Sequence, residues 1–174
     1  MSTLGKALEQ QRPEAAVLVL VAGTAQHVLL ERKSCAGSRR FTCDVAFPGG
    51  RIAPGETPTE TALREAWEEA WVPPRAVHVI GSLGLFHTVS RPVIYTEAVL
   101  GLLRGPVDPR PVDPEVDAVF WVKIDRLRRP TSVTHPIRGQ VEGIVLGPKL
   151  VLWGLSLRIA KRLIEFLGAR GTLP

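Results

Sequence analysis

Between Thr57 and Val72 the chain carries its most restrictive pattern: a helix whose two ends are written in the sequence, with glutamates crowded on one side. Thr57 suits an N-cap, Pro58 suits the first turn, and Glu60, three residues on from Thr57, completes a capping box. Pro73-Pro74 blocks continuation, so the predicted helix runs from Pro58 to about Trp71. Ala62, Ala66 and Ala70 form a small-residue ridge, with Leu63, Trp67 and Trp71 beside it, a face suited to close packing on a sheet. Thr61, Glu65, Glu68 and Glu69 take the opposite side. Residues three and four apart are neighbours on a helix. Glu65 therefore meets Glu68 and Glu69, and Arg64 is expected to reach back to Glu60 and forward to Glu68. Carboxylates packed this closely repel one another unless positive charge sits among them. A solvated face of Glu–Arg pairs is the plain reading. The spacing from Gly50 through Glu56 to Arg64-Glu65 favours a site for a hard, oxygen-seeking divalent cation, Mg²⁺ or Mn²⁺.

The rest of the chain supplies strands to pack on that helix. Ala16–Ala22 and His27–Glu31 read as two strands joined by a hairpin at Gly23–Gln26. A basic loop spans 32–42, and Val45–Phe47 is a short strand ending in a turn at Pro48-Gly49-Gly50. Segments 77–89 and 92–103 are β-rich around Ser90-Arg91, a Pro- and Asp-rich loop covers 105–117, and Ala118–Ile124 is a clear strand. A helical turn is expected at Arg126–Arg129 and a short strand at Gln140–Leu146. Residues 149–167 carry apolar side chains at helical spacing and close on Gly168. The polar residues 1–12 form a short helix or a frayed end. Length and apolar content fit one domain, residues 1–174, with a full core.

Charge is unevenly placed. The chain carries a formal +5 and a pI near 9.8, yet five glutamates (Glu56, Glu60, Glu65, Glu68, Glu69) lie in the stretch above. Removing those charges would double the formal +5. A basic surface around an acidic patch suits an acidic small molecule delivered to a metal. Few aromatics and no long Lys/Arg block disfavour nucleic acid. The apolar run 15–23 lacks a basic leader and no run spans a bilayer, so no membrane role and a cytoplasmic location are expected. Cys35 and Cys43 then read as two free thiols, with a loop disulfide as the alternative.

The stretch from Gly50 to Val72 resembles the Nudix box, Gly-x5-Glu-x7-Arg-Glu-U-x-Glu-Glu-x-Gly-U, through Gly50, Glu56, Arg64, Glu65, Glu68, Glu69 and Val72. Trp71 stands where that pattern has glycine. A left-handed residue there costs a side chain about 1 kcal/mol, so a different helix end is expected. Leu29-Leu-Glu-Arg32-Lys-Ser34, Asp44–Gly50, Thr61–Ala66, Val116–Val122 and Leu152–Ile159 are similar to the coenzyme A pyrophosphatase branch. Cys43-Asp44 departs from it, since that branch has Gly-Gln there.

The resemblance implies an α/β fold, a Nudix-type α/β/α sandwich with a mixed β-sheet between helices. It also implies metal-dependent hydrolysis of a nucleoside diphosphate derivative, with coenzyme A or an acyl-CoA yielding 3′,5′-ADP and phosphopantetheine. ADP-ribose or a dinucleotide is the alternative substrate, and a non-catalytic nucleotide-binding module the alternative class. Glu65, Glu68, Glu69 and the carbonyl of Gly49 would hold the metal, while Gly50, Glu56 and Arg64 support the site. Glu68, Glu69 or the loop residue Glu115 would activate water. Arg32, Arg39, Arg40 and Arg51 would meet substrate phosphates. Among the histidines, His87 and His135 lie nearest to strand ends. A homodimer fits the family.

Overall fold

Alternation along the first strand sets the layering. In β1 (Ala15–Ala22), Ala16, Leu18 and Leu20 turn to one apolar cluster, while Val19 and Val21 turn to another. A strand buried on both sides needs a layer on each face, and two helices supply them. The computed structural model describes residues 11–23, 26–36 and 43–170. The expected features of residues 1–10, the hairpin tip at 24–25 and the positions of Arg39 and Arg40 lie outside them.

The main sheet adds β2 (His27–Lys33), β3 (Val45–Ala46), β4 (Gly49–Arg51), β5 (Val77–His87), β6 (Tyr95–Leu103) and β7 (Val116–Lys123). Its order is β3-β2-β1-β6-β5, with β4 also on β1 and β7 also on β2. Strands β1 and β6 run parallel, Val17 opposite Ala98. Strand β2 is antiparallel to β1, β3 and β7, and β4 is antiparallel to β1. The sheet is therefore mixed. Helix α1 (Pro58–Ala70) covers one face through Ala62, Ala66 and Ala70, all fully buried with Leu18, Leu20 and Leu29. Helix α2 (Gly154–Arg170) covers the other through Leu157, Ile159, Ala160 and Leu163. A small sheet of β8 (Thr131–His135), β9 (Gly139–Gly147) and β10 (Leu150–Trp153), in the order β10-β9-β8, extends the α2-side core with Ile144, Leu146 and Leu152.

Several expectations are corrected. The Gly49-Gly50 turn is a strand, because its backbone pairs with Ala15–Val17. Residues 150–153 are strand rather than helix; Leu150 and Trp153 fit a helical period, but β9 offers them a ladder, and α2 starts only at Gly154. Strand β8 has no counterpart in the sequence reading. Helix α1 does end in the left-handed turn: Trp71 has φ 58° and ψ 35°, and the Ala66 carbonyl accepts from the Trp71 and Val72 amides. The Trp71 ring stacks on Trp67 with centroids 4.3 Å apart, and Arg110 lies 4.9 Å over it. Those contacts offset the local backbone cost.

Cys35 and Cys43 are joined in a disulfide, not free. The β2–β3 ladder continues past its ends through Lys33 N–H to Asp44 O and Cys43 N–H to Ser34 O. It brings the two Cα atoms to 4.4 Å, within disulfide range. Among the described residues, no helix is long and apolar enough to cross a membrane.

Candidate active site

Helix α1 is anchored before it presents its acids. The capping box forms as the sequence predicts: Thr57 Oγ1 accepts from the Glu60 amide at 3.2 Å, and Glu60 Oε2 accepts from the Thr57 amide at 2.8 Å. Glu60 is thereby committed to the cap, so Arg64 pairs with Glu56 rather than Glu60. Its Nε donates to Glu56 Oε1 at 2.7 Å and its Nη2 to Glu56 Oε2 at 3.1 Å. Its Nη1 donates to Glu65 at 2.8 Å and to Glu68 at 2.9 Å. One guanidinium fork thus orients three carboxylates. Arg64 and then Thr61 hold the Glu56 carboxyl down at about 2, while Arg64 is itself raised, chiefly by Glu56.

The Gly49–Arg51 strand lies under this cluster. A Cβ at Gly50 would stand 2.5 Å from Glu65 Oε1, so only glycine admits that carboxylate against the backbone. Burial raises the Glu65 pKa; Arg64 opposes the shift, and Glu69 and then Glu68 reinforce it. Glu69 is buried, and its Oε2 accepts from the Gly49 amide at 2.9 Å. The Gly49 and Glu60 amides therefore serve internal carboxylate and hydroxyl acceptors.

Two residues in this site escape the sequence reading. Glu31, in mid-β2, is fully buried, and Lys33 Nζ lies 2.5 Å from its Oε1 while also donating to Glu69 Oε1. Burial raises the Glu31 pKa; Lys33 pulls it down and Glu69 pushes it further up. Burial works against the Lys33 ammonium, but Glu31 and then Glu69 more than offset it, so Lys33 is raised. Positions 29, 31 and 33 of a strand share a face, and it is the packing of the sheet that sets that face against α1. Arg32, the residue favoured in sequence, falls on the opposite side of the pleat and pairs with Asp117 at 3.4 Å.

The other candidates are spread around this centre. Arg51 is exposed and pairs with Glu14 at 3.4 Å. The Glu115 carbonyl accepts from the Ser34 amide at 2.7 Å, just beyond Lys33 on β2, so its loop borders the site. His135 is buried away from α1. Its Nδ1 accepts from the Ile137 and Arg138 amides, both at 3.1 Å, and its Nε2 lies 3.2 Å from Asp44 Oδ1, which also accepts from Trp153 Nε1 at 3.0 Å. With Nδ1 an acceptor, the ring is neutral with its proton on Nε2, in line with the downward shift that burial imposes. His135 is thus a structural tie between the small sheet and the residue beside the disulfide.

Among the described residues no three acidic or imidazole groups already stand in metal-ligating geometry; Arg64 and Lys33 hold the oxygens instead. The donor set nonetheless suits Mg²⁺ or Mn²⁺. It is all oxygen, it carries several charges at one sheet–helix junction, and neither buried Glu31 oxygen receives a well-directed hydrogen bond.

Comparison with known proteins places this arrangement. The family model described as "NUDIX domain" matches residues 12–141. A Citrobacter koseri protein described as "Uncharacterized Nudix hydrolase NudL" is 30% identical over 166 residues, covering 91% of this chain and 85% of that protein. The crystal structure of the Nudix hydrolase RenU from M. smegmatis superposes with a TM-score of 0.63 at 21% identity, covering 94% of this chain and 90% of that one. The NUDIX domain of Shewanella oneidensis NrtR, complexed with ADP ribose, gives 0.57 at 20% identity, covering 91% and 90%. With Glu65 and Glu69 of the box set against the Gly49-Gly50 strand, the chain belongs to the Nudix hydrolase family.

Proposed function

We propose that this Nudix hydrolase cleaves the pyrophosphate bond of a nucleoside diphosphate derivative with Mg²⁺ or Mn²⁺, and that coenzyme A or an acyl-CoA is its first substrate. The observation that carries the reading is that Glu65 lies against Gly50 and Glu69 on the Gly49 amide, with Glu68 joined to Glu65 through Arg64, all box acids being present. Glu65, Glu68, Glu69 and the Gly49 carbonyl would hold the ion. When bound, it supplies charge neutralisation for the pyrophosphate oxygens and lowers the pKa of water. Arg64 keeps the carboxylates oriented. Glu115, on the bordering loop, takes the proton from the attacking water as the new P–O bond forms and the bridging P–O bond breaks; Glu68 or Glu69 is the alternative base. Arg51, with Arg39 and Arg40, offers positive charge to the substrate phosphates, while Arg32 is turned from the acids toward Asp117.

The coenzyme A assignment rests on the motifs outside the box, and Cys43-Asp44 departs from them. ADP-ribose is the second reading, supported by the ADP ribose bound in the NrtR neighbour. A non-catalytic module is disfavoured because the acids are intact. Product analysis with Mg²⁺ across coenzyme A, acyl-CoA, ADP-ribose and a dinucleotide tests the proposal. Release of 3′,5′-ADP and phosphopantetheine is expected, and Arg40→Ala should weaken coenzyme A more than its 3′-dephospho form. Turnover of ADP-ribose alone moves the substrate to the second reading, and tight binding without turnover makes the chain a nucleotide sensor.

A further inference from the structure

The acids of this site are divided between two internal cations of unequal permanence. Arg64 is locked in a fork to Glu56 and also bonds Glu65, Glu68 and the Arg51 carbonyl. Among the described residues, Lys33 pairs with Glu31 and Glu69. It is a point charge on a flexible stem with 20% of its side chain exposed, so it has a route to water. Glu31 has no such freedom. It is fully buried, and neither oxygen receives a well-directed hydrogen bond. Removing its counter-cation without replacement is strongly unfavourable.

A divalent ion at Glu69 changes that balance. It would stand close to the Lys33 ammonium and repel it. It would also bring two charges and several open oxygen positions to Glu31, which already faces α1 from the sheet. Resting on the metal-dependent reading above, we propose that Lys33 is a displaceable counter-cation: it holds the Glu31–Glu69 pair in the metal-free protein, swings out when the divalent ion enters, and leaves Glu31 to the ion as an acidic group on the sheet side.

The test uses the full chain and Mn²⁺ alone. Calorimetry on the wild type establishes uptake, and its absence would defeat the functional reading itself. With uptake established, reductive methylation read by peptide mass reports the accessibility of Lys33 in the unaltered protein. Labelling should rise severalfold at saturating Mn²⁺; unchanged or reduced labelling overturns displacement. The variant Lys33→Met removes the competitor and should bind Mn²⁺ about tenfold more tightly. Equal or weaker binding makes Lys33 a fixed positioning residue and overturns the proposal. Should that variant not fold, the labelling of the wild type decides.

Discussion

The Gly49 amide donates to Glu69 Oε2 at 2.9 Å, tying the last turn of α1 to the strand that begins the Nudix box. This contact explains how an acid that faces water in a helical-wheel reading becomes buried. The carboxylate turns back under the helix, where one oxygen meets the amide and the other meets Lys33. The acidic side of α1 is therefore partly its packing side.

The helix end sets two opposing effects against each other. Trp71→Gly relieves about 1 kcal/mol of left-handed strain but removes an aromatic stack and a cation–π contact, each worth about 0.5–1.5 kcal/mol. Net destabilisation of about 1 kcal/mol is expected in denaturant unfolding. In a Trp67→Ala background the same change should become neutral or stabilising. A Trp71→Gly variant more stable than wild type in the unaltered background would show that the stack contributes little.

Acid sensitivity follows from Glu56. Its folded pKa, about 2, lies below the usual carboxylate value near 4.5, so its contribution is present above pH 4.5 and is lost as pH falls toward 2. Glu56→Gln should lower the melting temperature at neutral pH and flatten its decline over that acid window. An unchanged pH profile would mean that the Arg64–Glu56 fork does not govern acid stability.

Reduction should destabilise the fold. The Cys35–Cys43 bridge closes a segment with a sequence separation of 8, for which chain entropy suggests about 2.5 kcal/mol of stabilisation. A phosphine reductant should therefore lower the melting temperature by several degrees. No response, with free thiols already detected in the native protein, would contradict the pairing.

His135 should act through packing and hydrogen bonds. His135→Ala leaves a cavity, two unpaired amides and Asp44 without its imidazole neighbour, and is expected to cost about 3 kcal/mol. Thermal melts check this. A change within half a kcal/mol would show that the small sheet does not depend on the tie.

The sequence made the helix, its cap, the α/β class and the box acids legible, because capping, periodicity and motif spacing are local signals. It misled where long-range pairing decides. Leu150–Trp153 became a strand because β9 is present, and Gly49–Arg51 became a strand because β1 is present. The Lys33 role was missed because a lysine in a strand reads as solvated until the register shows what lies opposite. Trp71 kept the left-handed turn because its ring found Trp67 and Arg110.

Service of the α1 carboxylates in metal-dependent hydrolysis is the central claim. The direct measurement is turnover of coenzyme A and ADP-ribose by the wild type and by Glu69→Gln, with Mg²⁺ or with a chelator. Pyrophosphate-bond cleavage by the wild type is expected only with Mg²⁺, reduced about a hundredfold or more in Glu69→Gln because a neutral amide is a poorer ligand for a hard cation. Cleavage that persists in chelator, or a fully active Glu69→Gln enzyme, would contradict it.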